Sequence, residues 1–335
     1  MTEPLPEGQR LAEISPKAYE HPADRAATAA LKQIPMLDLV VKKLIEFGGE
    51  RALRQTLLAS SVKLGSEQMG QTWAAHRAAY ARLDMSEIPD LYLTQFPLTN
   101  AAAIGSQRPM VLVNSRTVEV LDAEELRTVL GHEAGHVLSD HLMYRTALMI
   151  LLSIGVRTLA RLPFFAGLPL LAVQLALLEW FRASELSCDR AATLVNRDPL
   201  VTCRTLMVMA GGTASRKLNL DAFLRQAAEY EEWEPGWDKL NRLRSELMLT
   251  HAYPVRRVNQ LMKWVRAGDY DRIVGGDYVR RGDPIHFRDE AGEATEHYAE
   301  RFRSFFQEVG TGMDQAGEKV SDAATKVTDW LRERR

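Results

Sequence analysis

Residues 131–141 read Gly-His-Glu-Ala-Gly-His-Val-Leu-Ser-Asp-His. This stretch constrains the predicted architecture of the chain more than any other. Residues four apart on a helix share a face, so His132 and His136 can present both imidazoles to one metal ion. Glu133 would then lie beside an open coordination position. Zinc in such a site activates a water molecule for attack on a carbonyl, and the carboxylate takes the proton. The pattern indicates metal-dependent amide hydrolysis, although the same spacing also occurs by chance on ordinary helices.

The residues before the motif predict the start of its helix. Asp122 followed by Glu125 is a capping-box arrangement. Gly131 and Gly135 are poor helix formers, which indicates that another element packs close to the backbone there. A helical core face is predicted from Leu126, Val129 and Leu130.

A zinc site of this kind needs a third protein ligand. Metzincins place Gly at position 139 and His at position 142, but this chain has Ser139 and Leu142, so that class is excluded. On a continuous helix, His141 would lie about 140° around the axis from His136. It is therefore predicted to point away from the metal, as a surface residue or as a support behind the ligands.

A second helical stretch supplies a better candidate for the third ligand. Glu185 and Asp189 lie four residues apart and share a helical face. Glu185 would bind zinc, and Asp189 would orient His132 from behind. An ordinary solvent-exposed acidic pair is the alternative interpretation. Cys188, between them, is predicted to be a small buried residue.

Taken together, these motifs resemble the HtpX-like and CAAX-prenyl-protease-like family of gluzincin zinc metallopeptidases, over about residues 90–260. The resemblance implies a zinc-dependent endopeptidase with one Zn2+ ion per chain, acting on extended or unfolded polypeptide. The matching segments are Asn100-Ala101-Ala102 before a glycine, the apolar strand at 109–113, Glu124-Glu125-Leu126 leading into the histidine motif, Glu185 with Asp189, Thr250-His251 and Arg257.

The resemblance also places His251 near the zinc. Relatives usually carry Pro directly after this His, whereas here Ala252 and Tyr253 precede Pro254. His251 could donate to the oxyanion of the reaction, or occupy the fourth zinc position and hold the enzyme latent. A plain loop histidine is the third reading, and Tyr253 and Arg257 are reserve donors.

The predicted fold class is α+β and predominantly helical, with a zincin-type catalytic domain and a small three-stranded sheet beside the zinc-binding helix. Strands are predicted at 91–95, 100–104 and 110–113. The strand beginning with Asn100, Ala101 and Ala102 is predicted, partly by the resemblance, to be the edge that binds substrate. Its alanines could instead merely pack under the helix.

Four segments are expected along the chain. Residues 1–22 form an irregular arm, 23–90 a helical prefix, 91–266 the metallopeptidase domain with an apolar hairpin at 145–180, and 267–335 a polar linker and an amphipathic C-terminal helix. The apolar stretch 147–178 is predicted to pack in the core or touch a bilayer surface, with a re-entrant or spanning hairpin as the alternative. The C-terminal stripe at 302–330 fits a partner helix, self-association, a membrane surface or packing on its own domain.

Composition excludes other functions. The 42 basic and 44 acidic residues nearly cancel, so there is no argument for nucleic acid binding. Two cysteines suit a reducing compartment, and the amino terminus shows no secretory signal, so the predicted location is cytoplasmic, with membrane association through 147–178 or the C-terminal helix.

The main alternative to a peptidase is a non-catalytic zinc-containing interaction protein that uses its amphipathic tail as an adaptor. It is disfavoured because a structural zinc site has no need of Glu133.

Overall fold

The computed structural model describes residues 10–33, 37–45, 50–95, 99–154, 164–232 and 253–283. Its helices are α1 (Pro22–Gln33), α2 (Leu37–Leu44), α3 (Glu50–Ser60), α4 (Gly70–Arg82), α5 (Ser115–Val120), α6 (Ala123–Leu138), α7 (Leu142–Ile154), α8 (Phe164–Asn196), α9 (Pro199–Gly211), α10 (Leu220–Glu232), α11 (Pro254–Arg266) and α12 (Asp269–Val274). Its strands are β1 (Ser61–Lys63), β2 (Asp90–Thr94), β3 (Ala101–Ile104) and β4 (Met110–Asn114). The predicted fold class, α+β and predominantly helical, is confirmed.

The sheet has the strand order β1-β2-β4-β3. Strand β2 runs parallel to β4, with Leu91 opposite Val111, whereas β1 and β3 pair antiparallel with their neighbours. Strand β3 therefore lies at one edge. The prediction of three strands missed β1, because three residues are too few to show the alternation of a strand and Val62 also fits the helical pattern before it.

Helix α6 carries the histidine motif, and its start is the predicted capping box. The Asp122 carboxylate accepts hydrogen bonds from the backbone N–H groups of Glu124 and Glu125, and the Glu125 carboxylate accepts one from the N–H of Asp122. These bonds satisfy donors that the first helical turn leaves without partners. The first of the two histidines therefore follows about two and a half helical turns after a well-defined start.

Helices α6 and α8 pack against each other at the two glycines of the motif. A Cβ atom at position 131 would lie 3.0 Å from the Val195 side chain. At position 135 it would lie 2.8 Å from the Ala191 Cβ atom and 3.3 Å from the Cys188 Cα atom. The helices approach too closely for a side chain at position 135, as the glycines predicted. This approach brings the acidic residues of α8 to the histidines of α6.

We expect Gly135→Ala to destabilise the protein. Overpacking costs about 1–3 kcal/mol, which offsets the gain of about 1 kcal/mol that Ala brings to a helix. Gly70→Ala is the matched control, because nothing lies within 4 Å of a Cβ atom there. The free energy of unfolding, measured by denaturant titration, should fall for Gly135→Ala and not for Gly70→Ala. A rise for both would contradict the close packing.

Two large hydrophobic clusters contain the helices that carry the site. One joins the sheet with α4, α6, α9 and α11, and the other is built by α1, α2, α7 and the middle of α8. The segment predicted to form a hairpin contains α7 and the first half of α8, and the residues between them, 155–163, lie outside the described residues. Helix α8 continues without interruption into the acidic stretch. Among the helices in the described part of the chain, none combines the length and the apolar character that crossing a membrane requires.

The described part of the predicted arm packs on the core. Leu11, Ile14 and Tyr19 are buried in the cluster that contains the sheet. The predicted linker begins with α12, whose Tyr270 and Ile273 are buried. His251 and the stripe at 302–330 lie outside the described residues.

Candidate active site

The proposed ligands of the sequence analysis lie together in the structure. The Nε2 atoms of His132 and His136 lie 3.5 and 3.1 Å from the same carboxylate oxygen, Oε1 of Glu185. All three side chains are buried. Ligand atoms at about 2.0–2.2 Å from a tetrahedral zinc ion lie about 3.3–3.6 Å from one another. The two distances to Glu185 are close to this range, so the spacing is compatible with a metal ion among the three side chains.

Cys188 is a second candidate near the same histidines. His132, His136 and Cys188 each offer one possible ligand atom, and these three atoms lie within 4.8 Å of one another. The Cys188 Sγ atom, however, is 3.7 Å from Nδ1 of His141, which itself lies 3.1 Å from Nδ1 of His136. The thiol is thus on the Nδ1 side of the His136 ring, and Glu185 is on the Nε2 side.

The two imidazoles differ in their electrostatic environment. Burial lowers the pKa of His132, but the carboxylates of Glu185 and Asp189 outweigh it and raise the pKa to about 9. Burial, together with the nearby Arg145 guanidinium, lowers the pKa of His136 well below its usual range. A metal ligand must present a lone pair, so metal binding at neutral pH would release the proton of His132.

Asp189 contacts His132 from behind. Its Oδ1 atom is 3.1 Å from Nδ1 of His132, and both of its oxygens accept hydrogen bonds from the Arg257 guanidinium at 2.5 and 2.8 Å. Arg257 also lies 3.1 Å from Oε2 of Glu185. Burial raises the pKa of Asp189, but Arg257 and His132 together outweigh this and lower the pKa below its usual value. The Arg257 guanidinium therefore contacts two acidic side chains. This argues against Arg257 as the alternative to His251 for donating to the oxyanion.

The Glu133 carboxylate is held by two donors on one oxygen. Oε2 accepts a hydrogen bond of 2.6 Å from the backbone N–H of Ala103, on the edge strand, and one of 2.8 Å from Arg145 on α7. The Arg145 guanidinium lies over the ring of Phe181, which stacks against His136. This arrangement fixes the orientation of Glu133 beside the two histidines.

His141 was predicted to point away from the metal, as a surface residue or as a support behind the ligands, and it lies buried behind His136, so the surface alternative does not apply. Helix α6 ends at Leu138, and Asp140 has a left-handed backbone with a φ of 56°. The turn brings the buried His141 ring beside His136, where the two Nδ1 atoms are 3.1 Å apart. The 100° spacing of a helix does not apply once the helix has ended.

A pocket leads to this cluster between the edge strand and α9. Asn100 and Ala101 form one side, and Arg257, Glu185 and Asp189 contribute to its floor. The other lining residues are Thr128, Val129, His132, Glu133, Thr202, Thr205, Leu206 and Met209. His132 and Glu133 thus line a pocket at the edge of the sheet, whereas His136 is fully buried behind them.

Sequence reasoning missed two side chains of this site. Arg145 is the one charged residue in α7, Leu142–Ile154, and a single charge in an apolar helix is a signal that could have found it. Asp24 on α1 accepts from His141 at 3.2 Å, but nothing in the pattern of α1 distinguishes it from a surface carboxylate.

Residues 71–265 match the profile of Peptidase family M48, which covers more than half of the chain. The chain is also 35% identical over 263 residues to plastoglobule-localized metallopeptidase 48, chloroplastic, of Arabidopsis thaliana, and the alignment covers 76% of this chain and 74% of the relative. No solved structure matched the chain. These matches confirm the family that the motifs resemble and the metalloendopeptidase function that it implies. The chain therefore belongs to peptidase family M48 and is a metallopeptidase that hydrolyses peptide bonds.

Proposed function

We propose that the metal is zinc, that one ion binds per chain, and that His132, His136 and Glu185 are its ligands. The observation that carries this proposal is the convergence of both Nε2 atoms on one carboxylate oxygen of Glu185. Two imidazoles and a carboxylate with an accessible fourth position are the donor set of catalytic zinc. A zinc ion bound there would polarise a water molecule and the scissile carbonyl.

Glu133 is the general base and then the proton donor in this proposal. Because Ala103 and Arg145 both donate to Oε2, Oε1 is the oxygen that takes the proton from the attacking water. The same proton then goes to the nitrogen of the leaving amine. A structural zinc site has no use for such a carboxylate, and nothing in the described residues favours the non-catalytic alternative.

The substrate would bind as an extra strand along β3. Hydrogen-bonded pairs alternate along an antiparallel ladder, and the Ala103 N–H donates to Glu133 rather than to β4. The carbonyl groups of Ala101 and Ala103 therefore face the outer edge, where they can accept from a peptide backbone. Apolar Leu206 and Met209 line the adjacent pocket and would favour an apolar side chain next to the scissile bond.

His251 lies outside the described residues, and its proposed role as an oxyanion donor rests on the family resemblance. If His251 is a donor, His251→Ala lowers turnover and retains zinc. If it is a fourth ligand that keeps the enzyme latent, turnover rises. Unchanged turnover would exclude both roles and leave a plain loop histidine.

Hydrolysis of a denatured protein tests the proposed function. The zinc-loaded full chain should cut it at internal positions, with cleavage sites identified by mass spectrometry. Removal of the metal with a chelator should stop cleavage, and added zinc should restore it. Release of terminal residues alone, or hydrolysis that survives the chelator, would contradict a zinc endopeptidase.

A cytoplasmic location with contact at a membrane surface, through 147–178 or the C-terminal helix, is also proposed. A relative named as plastoglobule-localized is compatible with such contact. The purified chain should then cosediment with liposomes, and removal of the C-terminal helix would show which segment is responsible. Failure to cosediment would exclude the contact.

A further inference from the structure

A buried chain of hydrogen bonds runs from His136 away from the ligand cluster. Nδ1 of His136 lies 3.1 Å from Nδ1 of His141, and Nε2 of His141 lies 3.2 Å from Oδ2 of Asp24. We infer that Asp24 and His141 are positioning residues that fix the ring and the tautomer of His136 for metal binding. This inference rests on the proposed role of His136 as a ligand. The His141–Asp24 pair would be the counterpart of Asp189, which contacts Nδ1 of His132.

The direction of the bonds follows from what each group can donate. An ionised carboxylate only accepts, and Asp24 already receives hydrogen bonds from the hydroxyls of Ser187 at 2.6 Å and Thr28 at 3.3 Å. Asp24 therefore takes the Nε2–H of His141, which leaves Nδ1 of a neutral His141 as an acceptor. That acceptor takes the Nδ1–H of His136. The lone pair of His136 then lies on Nε2, the atom that faces Glu185.

The local backbone is arranged to place His141 there. Residues other than glycine rarely adopt the left-handed backbone conformation. Asp140 adopts it just after the end of α6. The N–H of His141 donates to the carbonyl of His136 at 3.0 Å, which closes the turn. The result is an imidazole held beneath the second histidine of the motif.

Asp24 also connects the N-terminal helix to the site. Its carboxylate is fully buried, and burying such a group is costly unless it is hydrogen-bonded. Its partners Ser187 and His141 lie on α8 and on the turn after α6. Ser187 in turn accepts from the backbone N–H of His21 at 2.9 Å. Helix α1 is thus bonded to both elements that carry the proposed ligands.

Replacement of Asp24 tests the inference. In Asp24→Asn the amide can donate to Nε2 of His141, which favours the opposite tautomer and places a donor against Nδ1 of His136. Zinc affinity, measured by competition with a chromophoric chelator, should fall by about 10–100-fold. Glu125→Gln is the matched control, because Glu125 is an equally buried carboxylate whose bonds cap the start of α6 away from the site. It should lower the unfolding temperature without changing zinc affinity.

Two substitutions at His141 separate positioning from packing. His141→Asn keeps an acceptor near the position of Nδ1, whereas His141→Leu fills the space without one. Zinc affinity should therefore fall less for Asn than for Leu, and the absorption spectrum of the cobalt-substituted protein should change more for Leu. A loss of packing alone would give the opposite order, because Leu suits a buried position better than Asn.

The outcomes distinguish this inference from the proposed function. If the native chain binds zinc and both Asp24→Asn and His141→Leu bind it equally well, the positioning role is overturned and the proposed metal site stands. An equal loss in Glu125→Gln would also overturn it, since the effect would then be general destabilisation. A native chain that binds no zinc would overturn the proposed site and the inference together.

Discussion

Glu133→Gln should retain zinc and lose about 10²–10⁴-fold in turnover, because the three proposed ligands remain while the proposed base is removed. The amide is nearly the same size as the carboxylate and can still accept from Ala103 and Arg145, so the fold should persist. Zinc content is measured by elemental analysis and turnover by hydrolysis of a denatured protein.

Glu124→Gln is the control for a lost charge on the same helix. Glu124 is exposed in the first turn of α6, and its contacts with Arg204 lie away from the pocket. Its turnover should match that of the native chain. Near-native activity in Glu133→Gln would mean that another group takes the proton, and the assignment of Glu133 would fail.

Glu185→Ala should strongly reduce zinc affinity. Loss of a residue that only supports a ligand costs about 10–100-fold, and the loss for Glu185→Ala should be larger. The carboxylate is the point on which both Nε2 atoms converge, and its removal also leaves the buried Arg257 with one acidic partner fewer. Chelator competition measures the affinity, and hydrolysis should fall in parallel.

Two further variants make this result specific. Glu179→Ala removes another buried carboxylate of α8, one paired with Arg182, and should leave zinc affinity unchanged. Cys188→Ala tests the alternative group of His132, His136 and Cys188 and should also bind zinc normally. If Cys188→Ala loses zinc and Glu185→Ala keeps it, the third ligand is the thiolate.

Much of the candidate site could be predicted because its proposed ligands come from local patterns. His132 and His136 share a face by helical spacing, and Glu185 with Asp189 does the same on a second helix. The glycines at 131 and 135 indicated close packing, and the structure shows α8 against them. Local regularity of this kind survives folding, so two short motifs sufficed to propose both halves of the cluster.

The remainder depends on tertiary contacts that no local period contains. The helical angle could not choose between a surface and a supporting position for His141, because the helix ends three residues earlier and Asp140 has a left-handed backbone. Asp24 reaches the site only because α1 packs on α8, more than a hundred residues away in sequence. Strand β1 forms because β2 offers it an edge, not because three residues have a strand period of their own.

The domain boundaries show the same limit. Residues before 90 were predicted to be a separate helical prefix, and that division stays a prediction. In the structure, α1 and α2 share a hydrophobic cluster with α7 and α8, and β1 extends the sheet of the catalytic segment. Composition changes along a chain mark where patterns change, whereas packing decides which segments share a core.

The most direct test of the account is to locate the metal. Crystals of the zinc-loaded full chain should show an anomalous scattering peak at the zinc absorption edge, about 2.0–2.2 Å from Nε2 of His132, Nε2 of His136 and the Glu185 carboxylate. A peak about 2.3 Å from the Cys188 Sγ atom, or no peak between the two histidines in protein that hydrolyses peptides, would contradict it.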